Sequence, residues 1–233
     1  MRYIYLYIFL FSSLTVSAQH LPEILQEGNT AQEKGELDKA IELYSDVIKE
    51  NPEMADAYYV RGNALFDKKL YDKAINDFNT CISLDKKNLH ALYNRANTYY
   101  ELKKYEKAIS DFSEVLRKDS SFIDAYQDRA NAYFNVLEYD KAITDFSKAI
   151  SKAPTADMYY DRANTFFMLN KFAESKTDYD KAIKLSPSIS NYYINRAMSF
   201  FNLEMMPEGC KDLEKAADLG DQDGENYLKE LCQ

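Results

Sequence analysis

Residues 95–112 read RANTYYELKKYEKAISDF, and this pattern returns along the chain at an almost constant spacing. A motif of Asp or Glu followed by Lys, Ala and Ile recurs every 34 residues, beginning at Asp38, Asp72, Glu106 and Asp140. A second motif begins with Arg and a small residue, at Arg61, Arg95, Arg129, Arg162 and Arg196. A fixed period of this length is the signature of a protein built from structural repeats.

Each period contains two blocks of apolar residues with helical spacing. In the third repeat Leu92, Ala96 and Tyr99 fall at i, i+4 and i+7, and a second stripe with Ala108 and Phe112 follows a polar link. The chain has only six Gly and five Pro, which argues against an all-β protein rich in tight turns. The pattern therefore predicts an all-α protein of helix–turn–helix units.

Two positions in every repeat carry small side chains, which allow two helices to approach closely. The first is occupied by Gly28, Gly62, Ala96, Ala130, Ala163 and Ala197. The second is occupied by Ala40, Ala74, Ala108, Ala142, Ser175 and Gly209. A large residue recurs in the second helix, as Tyr44, Phe78, Phe112, Phe146, Tyr179 and Leu213.

The period and these positions resemble the tetratricopeptide repeat (TPR) family. The resemblance implies an all-α, right-handed α-solenoid of six repeats over residues 22–222, ending in a capping helix over residues 223–233. The expected repeats are 22–54, 55–88, 89–122, 123–155, 156–189 and 190–222. The chain departs from the family pattern by carrying Arg, where the family usually has Leu, at Arg61 and its equivalents, and by having no Trp.

The recurring Arg is followed 16 residues later by an Asp in five repeats. The Asp residues are Asp77, Asp111, Asp145, Asp178 and Asp212. In a helical hairpin the two positions lie level, so we expect an ion pair within each repeat, although two separately solvated charges would fit the same spacing. The first repeat has Glu27 and Leu43 at these positions, and so lacks both partners together.

The three cysteines have different expected environments. Cys81 occupies a core position and is expected to be a buried thiol. Cys210 and Cys232 are equally distant from a turn centred near Asp221, so a hairpin would bring them level. An oxidising compartment would then permit a disulfide, and two separate thiols are the alternative.

The N-terminus has the features of a secretory signal peptide. Arg2 precedes an apolar stretch of about a dozen residues, and Val16 and Ala18 provide small residues before a cleavage site after Ala18. An uncleaved membrane anchor is the alternative, but the stretch is shorter than the roughly 20 residues that span a bilayer. We therefore expect residues 1–18 to be a signal peptide, and the protein to be exported to the periplasm or secreted.

Composition excludes several functional classes. The formal net charge of −9 disfavours a nucleic-acid partner, because phosphate contacts need clustered Lys and Arg. Two His and three Cys make a Cys/His metal site improbable. No catalytic set of nucleophile and base and no glycine-rich phosphate loop is present, so we expect neither enzymatic activity nor a cofactor.

The TPR resemblance implies a concave groove, lined by the first helix of each repeat, that holds a protein or peptide partner. One of five lining positions per repeat carries Asn, in a set that we call the amide row: Asn29, Asn63, Asn97, Asn131 and Asn164. Aromatic residues lie one turn away on either side, in a set that we call the flanking aromatics: Tyr59, Tyr93, Tyr160, Phe66, Tyr100, Phe134, Phe167 and Phe201.

The amide row has three interpretations. The Asn residues could reflect recent duplication, cap a neighbouring backbone group, or pair with the backbone of an extended ligand. None of the 30 lining positions is Lys or Arg. This excludes the acidic chaperone tails that some TPR domains bind through cations, and it favours an extended, neutral-to-basic polypeptide.

The sequence thus predicts a non-enzymatic protein-interaction scaffold. The alternative is a structural subunit of a larger cell-envelope assembly that contacts partners through its convex face or its ends.

Overall fold

The computed structural model describes residues 20–232, and these residues form thirteen α-helices and no β-strand, which confirms the all-α prediction. The helices are α1 (20–33), α2 (Leu37–Glu50), α3 (Ala55–Asp67), α4 (Tyr71–Leu84), α5 (Leu89–Glu101), α6 (Tyr105–Lys118), α7 (Ile123–Asn135), α8 (Tyr139–Lys152), α9 (Ala156–Met168), α10 (Phe172–Leu185), α11 (Ser190–Asn202), α12 (Met206–Asp218) and α13 (Gln222–Leu231). The predicted signal peptide lies outside the described residues.

The chain divides into two compact units, with the boundary after Asp111, inside α6. In the first unit α3 packs against both α2 and α4, and in the second unit consecutive helices from α7 to α13 pack against one another. Odd-numbered helices up to α11 are the first helices of the repeats, and even-numbered helices up to α12 are the second helices. Helix α13 covers the last pair, where Leu228 packs against the cluster around Leu213 and Ala216.

Small residues face large ones where the two helices of a repeat touch. The recurring large residue of the second helix is no more than 1% exposed in every repeat. A Cβ atom placed on Gly62 would lie 2.7 Å from Cε1 of Phe78, so this helix pair is in close contact. The predicted contact positions are therefore confirmed.

The turn inside each repeat contains one residue in the left-handed region. Glycine occupies this place only in the first repeat, at Gly35, and other residue types occupy it at Lys69, Lys103, Leu137, Asn170 and Glu204. Gly220 takes the same conformation in the turn between α12 and α13. In the second repeat the turn is closed by two backbone hydrogen bonds, from the Lys69 N–H to the Phe66 carbonyl (2.7 Å) and from the Leu70 N–H to the Leu65 carbonyl (2.8 Å). These bonds satisfy carbonyls that the end of the first helix leaves unpaired.

The recurring Arg and Asp form the predicted ion pair in all five repeats. The Nε atom donates to Asp Oδ2 over 2.6 to 2.7 Å, and Nη2 donates to Asp Oδ1 over 2.7 to 2.9 Å. The Asp side chains are between 3% and 13% exposed. This bidentate pairing forms only when the guanidinium and the carboxylate lie in one plane at the right distance, so it fixes the relative position of the two helices.

Each Arg also reaches the preceding repeat. Its remaining terminal nitrogen, Nη1, donates to a side chain on the second helix of that repeat, namely Ser45, Asn79, Ser113, Ser147 or Asp180. The guanidinium of Arg129 also lies near the rings of Tyr126 and Tyr133, 5.9 and 5.7 Å from their centroids. One side chain therefore connects a first helix to two second helices.

We predict that Asp145→Ala lowers the free energy of unfolding by about 2 kcal/mol. The substitution leaves Arg129 largely buried without its counter-ion, but its 18% exposure allows some screening, so the cost falls below the roughly 3–5 kcal/mol of a fully buried pair. Asp140→Ala is the matched control on the same helix, because Asp140 is 86% exposed and 3.9 Å from Lys171. It should cost less than about 0.5 kcal/mol. Chemical denaturation measures both, and equal midpoints for the two variants would contradict this role.

The three cysteines lie where the sequence placed them. Cys81 is fully buried, and burial raises the pKa of its thiol to about 11, which suppresses its reactivity. Cys210 on α12 and Cys232 after α13 lie side by side, with Cα atoms 5.7 Å apart, a separation that a disulfide would fit. Such a bond would join the capping helix to the last repeat.

We predict that the Cys210–Cys232 bond is present in protein purified without reductant. Non-reducing peptide mapping should recover the two cysteine peptides linked, with the Cys81 peptide free. Reduction should destabilise the protein by about 3 kcal/mol, as expected for closing a loop of this size. Recovery of free Cys210 and Cys232 from untreated protein would disprove the bond.

Candidate functional site

The amide row lies on the first helices, and all five members are partly exposed. Each Asn follows the small residue that contacts the second helix. Asn97, for example, lies between the buried residues Ala96 and Thr98. The helix contact therefore positions the backbone of each Asn while its amide stays accessible.

Three members of the row are already hydrogen-bonded within the protein. The Asn29 Oδ1 atom accepts from the Tyr44 hydroxyl over 2.8 Å, and the Asn164 Oδ1 atom accepts from the Tyr179 hydroxyl. The Asn63 Oδ1 atom accepts from a side chain of the next repeat, described below. These three amides bind side chains, not backbone groups, so the capping interpretation does not describe them. Each of these three carbonyl oxygens already accepts at least one hydrogen bond from within the protein.

Asn97 and Asn131 differ from the other three. Their amides make no hydrogen bond with any residue in the described part of the chain. Their repeats carry Phe112 and Phe146 in place of a Tyr that could donate a hydroxyl hydrogen. The repeats that follow them carry Asp128 and Asp161 in place of the Asn that donates to Asn63. These two amides keep both a donor and an acceptor for a ligand.

The flanking aromatics have a structural role as well as exposed surface. Four of them pack against the residue that opens the second helix, five positions on: Phe66 with Tyr71 (5.5 Å), Tyr100 with Tyr105 (5.3 Å), Phe134 with Tyr139 (5.4 Å) and Phe167 with Phe172 (5.2 Å between ring centroids). All eight flanking aromatics remain partly exposed. Edge contacts of this kind hold the rings in place and leave apolar area for a partner.

A pocket opens on the first helices in each unit. In the first unit Asn63, Phe66 and Asn97 contribute to a pocket of 240 Å³. In the second unit Phe134, Asn164 and Phe167 contribute to one of 260 Å³. Both pockets are therefore built from the amide row and the flanking aromatics that the sequence singled out.

The residue immediately before the recurring Arg also belongs to this surface, although the sequence interpretation overlooked it. The Asn94 Nδ2 atom donates to Asn63 Oδ1 over 2.7 Å, and the Asn195 Nδ2 atom donates to Asn164 Oδ1 over 3.2 Å. The position is Val60, Asn94, Asp128, Asp161 and Asn195 in successive repeats. Because four of the five copies of this position are polar, the sequence did contain a signal that the position belongs to the surface.

Asp161 is the exceptional member of this set. Its carboxylate has no hydrogen bond or ion pair among the described residues. Burial, and secondarily repulsion from Asp157 on the same helix, raises its pKa to about 6. Asp157 is itself engaged, because the Tyr192 hydroxyl donates to its Oδ1 atom over 2.7 Å.

We predict that Asp161→Asn stabilises the protein at pH 8. The folded-state pKa lies above the unfolded value, so the ionised carboxylate disfavours folding at high pH, and the wild type gains stability as pH falls from about 7 to about 4. The variant lacks this gain and should be more stable at pH 8 by up to about 3 kcal/mol. Other ionisable groups near Asp161 are Asp157, Tyr160, Tyr179 and Tyr192.

The measurement is the unfolding midpoint from pH 4 to 8. Asp124→Asn, at an exposed carboxylate on α7, is the control and should follow the wild type. Identical pH profiles for the wild type and Asp161→Asn would show that ionisation of this carboxylate does not destabilise the folded protein.

The described residues contain neither an arrangement suited to a metal ion nor a helix that could span a membrane. No group of three His, Cys, Asp or Glu side chains in residues 20–232 is arranged to hold a metal ion. None of the helices in that range is both long and apolar enough to cross a bilayer.

Comparisons with known proteins agree with this architecture. Solved structures of similar fold include PilF from Pseudomonas aeruginosa (14% identity, TM-score 0.75, 92% of this chain and 99% of that one) and the C-terminal part of a TPR repeat-containing protein from Cytophaga hutchinsonii (16%, 0.75, 87% and 81%). Another is YrrB, a TPR protein with an unusual peptide-binding site (18%, 0.70, 81% and 98%). At these identities the likeness concerns the fold alone. A search of curated proteins found no match.

Family models cover most of the repeat region. One described as Tetratricopeptide repeat matches residues 25–81 and 128–188. A second Tetratricopeptide repeat model matches residues 90–122, and a TPR repeat model matches residues 62–103. The recurring helix pairs and these matches agree, and the chain belongs to the tetratricopeptide repeat family.

Proposed function

We propose that the protein is a non-enzymatic interaction scaffold whose first helices hold an extended, neutral-to-basic polypeptide segment. The observation that carries this proposal is that Asn97 in the first unit and Asn131 in the second keep amides with no hydrogen bond to the described residues, while the other members of the amide row are already hydrogen-bonded. An amide pairs equally well with any peptide backbone, so these two amides would add affinity without themselves selecting a sequence.

The charge of the surface supports the same class of partner. Exposed carboxylates occupy lining positions, as at Asp56, Asp124 and Asp157, and no lining position carries Lys or Arg. Attraction to a basic segment would act between exposed charges and would be screened by salt. Binding should therefore weaken as ionic strength rises.

The proposed setting is an exported one. It rests on the signal-like N-terminus and on the adjacent cysteines at the C-terminal cap, which favour an oxidising compartment. A role as a structural subunit of a cell-envelope assembly would place the contacts on the second helices or at the ends instead of the first helices.

The test uses an array of random-sequence twelve-residue peptides probed with purified protein. The double variant Asn97→Ala and Asn131→Ala should bind the selected peptides at least roughly tenfold more weakly, because it loses the two unused amides. Melting behaviour and helical content should remain near wild type, since neither amide has a hydrogen-bond partner within residues 20–232.

The control is Ser110→Ala with Thr144→Ala, at exposed positions on the second helices of the same two repeats. It should bind like the wild type. Selection of no peptide, or equal binding by both double variants, would contradict the proposal. Loss of binding in the control alone would place the partner on the second helices.

A further inference from the structure

The pocket of the second unit has walls suited to one apolar side chain. Phe134 on α7, Phe167 and Met168 on α9, and Met198 on α11 supply its apolar lining. Met168 is 51% exposed, so its side chain is accessible to a partner. Methionine is flexible and polarizable, so these walls can adapt to side chains of different shape.

The polar lining of the pocket is already used by the fold. The Asn164 Oδ1 atom accepts hydrogen bonds from both Tyr179 and Asn195, and the Asn195 Nδ2 atom donates to the Tyr160 hydroxyl over 2.8 Å as well. The Asn164 oxygen and the Asn195 nitrogen are therefore already engaged, and the rest of the pocket surface is mainly apolar.

Two carboxylates lie beside the pocket, and of these Asp157 accepts a hydrogen bond from Tyr192 while Asp161 has no hydrogen bond or ion pair among the described residues. Asp161 lies one helical turn before Asn164 on α9, and it interacts electrostatically with Tyr179, which lines the pocket. Asp157 lies one further turn away on the same face of α9. The pocket lining contains no Lys or Arg that could neutralise the two carboxylates.

Building on the proposed function, we propose that this pocket and the two carboxylates form a subsite for a large apolar residue adjacent to a Lys or Arg in an extended segment. The apolar side chain enters between Phe134, Phe167 and Met198. The ammonium or guanidinium group then lies at Asp161, where it supplies the counter-charge that the carboxylate lacks. Charge complementarity thus selects a basic segment and rejects an acidic one.

The Asp161 position provides its own conservative variant. Asn occupies the equivalent position in two other repeats, as Asn94 and Asn195, so Asp161→Asn should fold without disturbing the helix. The Asp157→Asn substitution keeps the oxygen that accepts from Tyr192. The double Asn variant therefore removes charge and little else.

The experiment is selection from a random dodecapeptide library on the wild type and two double variants. The wild type should enrich peptides with Lys or Arg within two residues of Phe, Leu or Met. Asp157→Asn with Asp161→Asn should lose the basic preference, keep the apolar one, and bind wild-type-selected peptides roughly tenfold more weakly. Met168→Ala with Met198→Ala should lose the apolar preference instead.

The outcomes separate this proposal from the one on which it rests. If the wild type enriches no peptide, the proposed function itself fails. If it enriches peptides without basic residues, or if the double Asn variant keeps the basic preference and affinity, the subsite is wrong while peptide binding stands.

Discussion

The structure depends on a buried guanidinium that is shared between two repeats. Arginine offers five N–H donors in a fixed plane, and the recurring Arg uses two nitrogens on the Asp of its own repeat and the third on a side chain of the repeat before. A misplaced helix would leave a largely buried charge without its partner, which is far more costly than losing an ordinary apolar contact. In the first repeat Glu27 replaces the Arg and pairs with Lys39 at a solvent-exposed position.

Packing between the helices also determines which members of the amide row are already engaged. The Asn two positions after the recurring Arg, or after Glu27 in the first repeat, lies near the recurring large residue of the second helix. Where that residue is Tyr44 or Tyr179, its hydroxyl donates a hydrogen bond to the amide oxygen of the Asn. Where it is Phe112 or Phe146, the amide stays unused. The second-helix residue does not decide this alone, because Asn63, whose repeat carries Phe78, is engaged by Asn94 of the next repeat instead.

Much of the architecture could be predicted from the sequence because it arises from periodic, local constraints. The helix pairs, the small contact positions, the Arg–Asp pairs and the adjacency of Cys210 and Cys232 all follow from spacing within one hairpin. Contacts between repeats were not predictable in the same way. The hydrogen bond from Arg129 to Ser113 and the pairing of Asn94 with Asn63 depend on how one hairpin packs on the next.

The same distinction applies to the candidate site. Spacing identified the amide row, but which amides are occupied depends on side chains from other helices. The unpartnered carboxylate of Asp161 depends on burial that no local pattern reveals. Leu137, which is 70% exposed with a φ of 63°, also shows that repeat geometry overrides local preference.

The central claim is that the amide row is divided between structural and ligand-binding members. The most direct test is NMR of the side-chain amide groups, assigned by Asn→Asp substitution, during titration with a peptide selected by the wild-type protein. The account predicts that the Asn97 and Asn131 signals shift with the affinity of binding, while those of Asn29, Asn63 and Asn164 stay near their free positions. Saturating binding with no shift at Asn97 or Asn131 would contradict it.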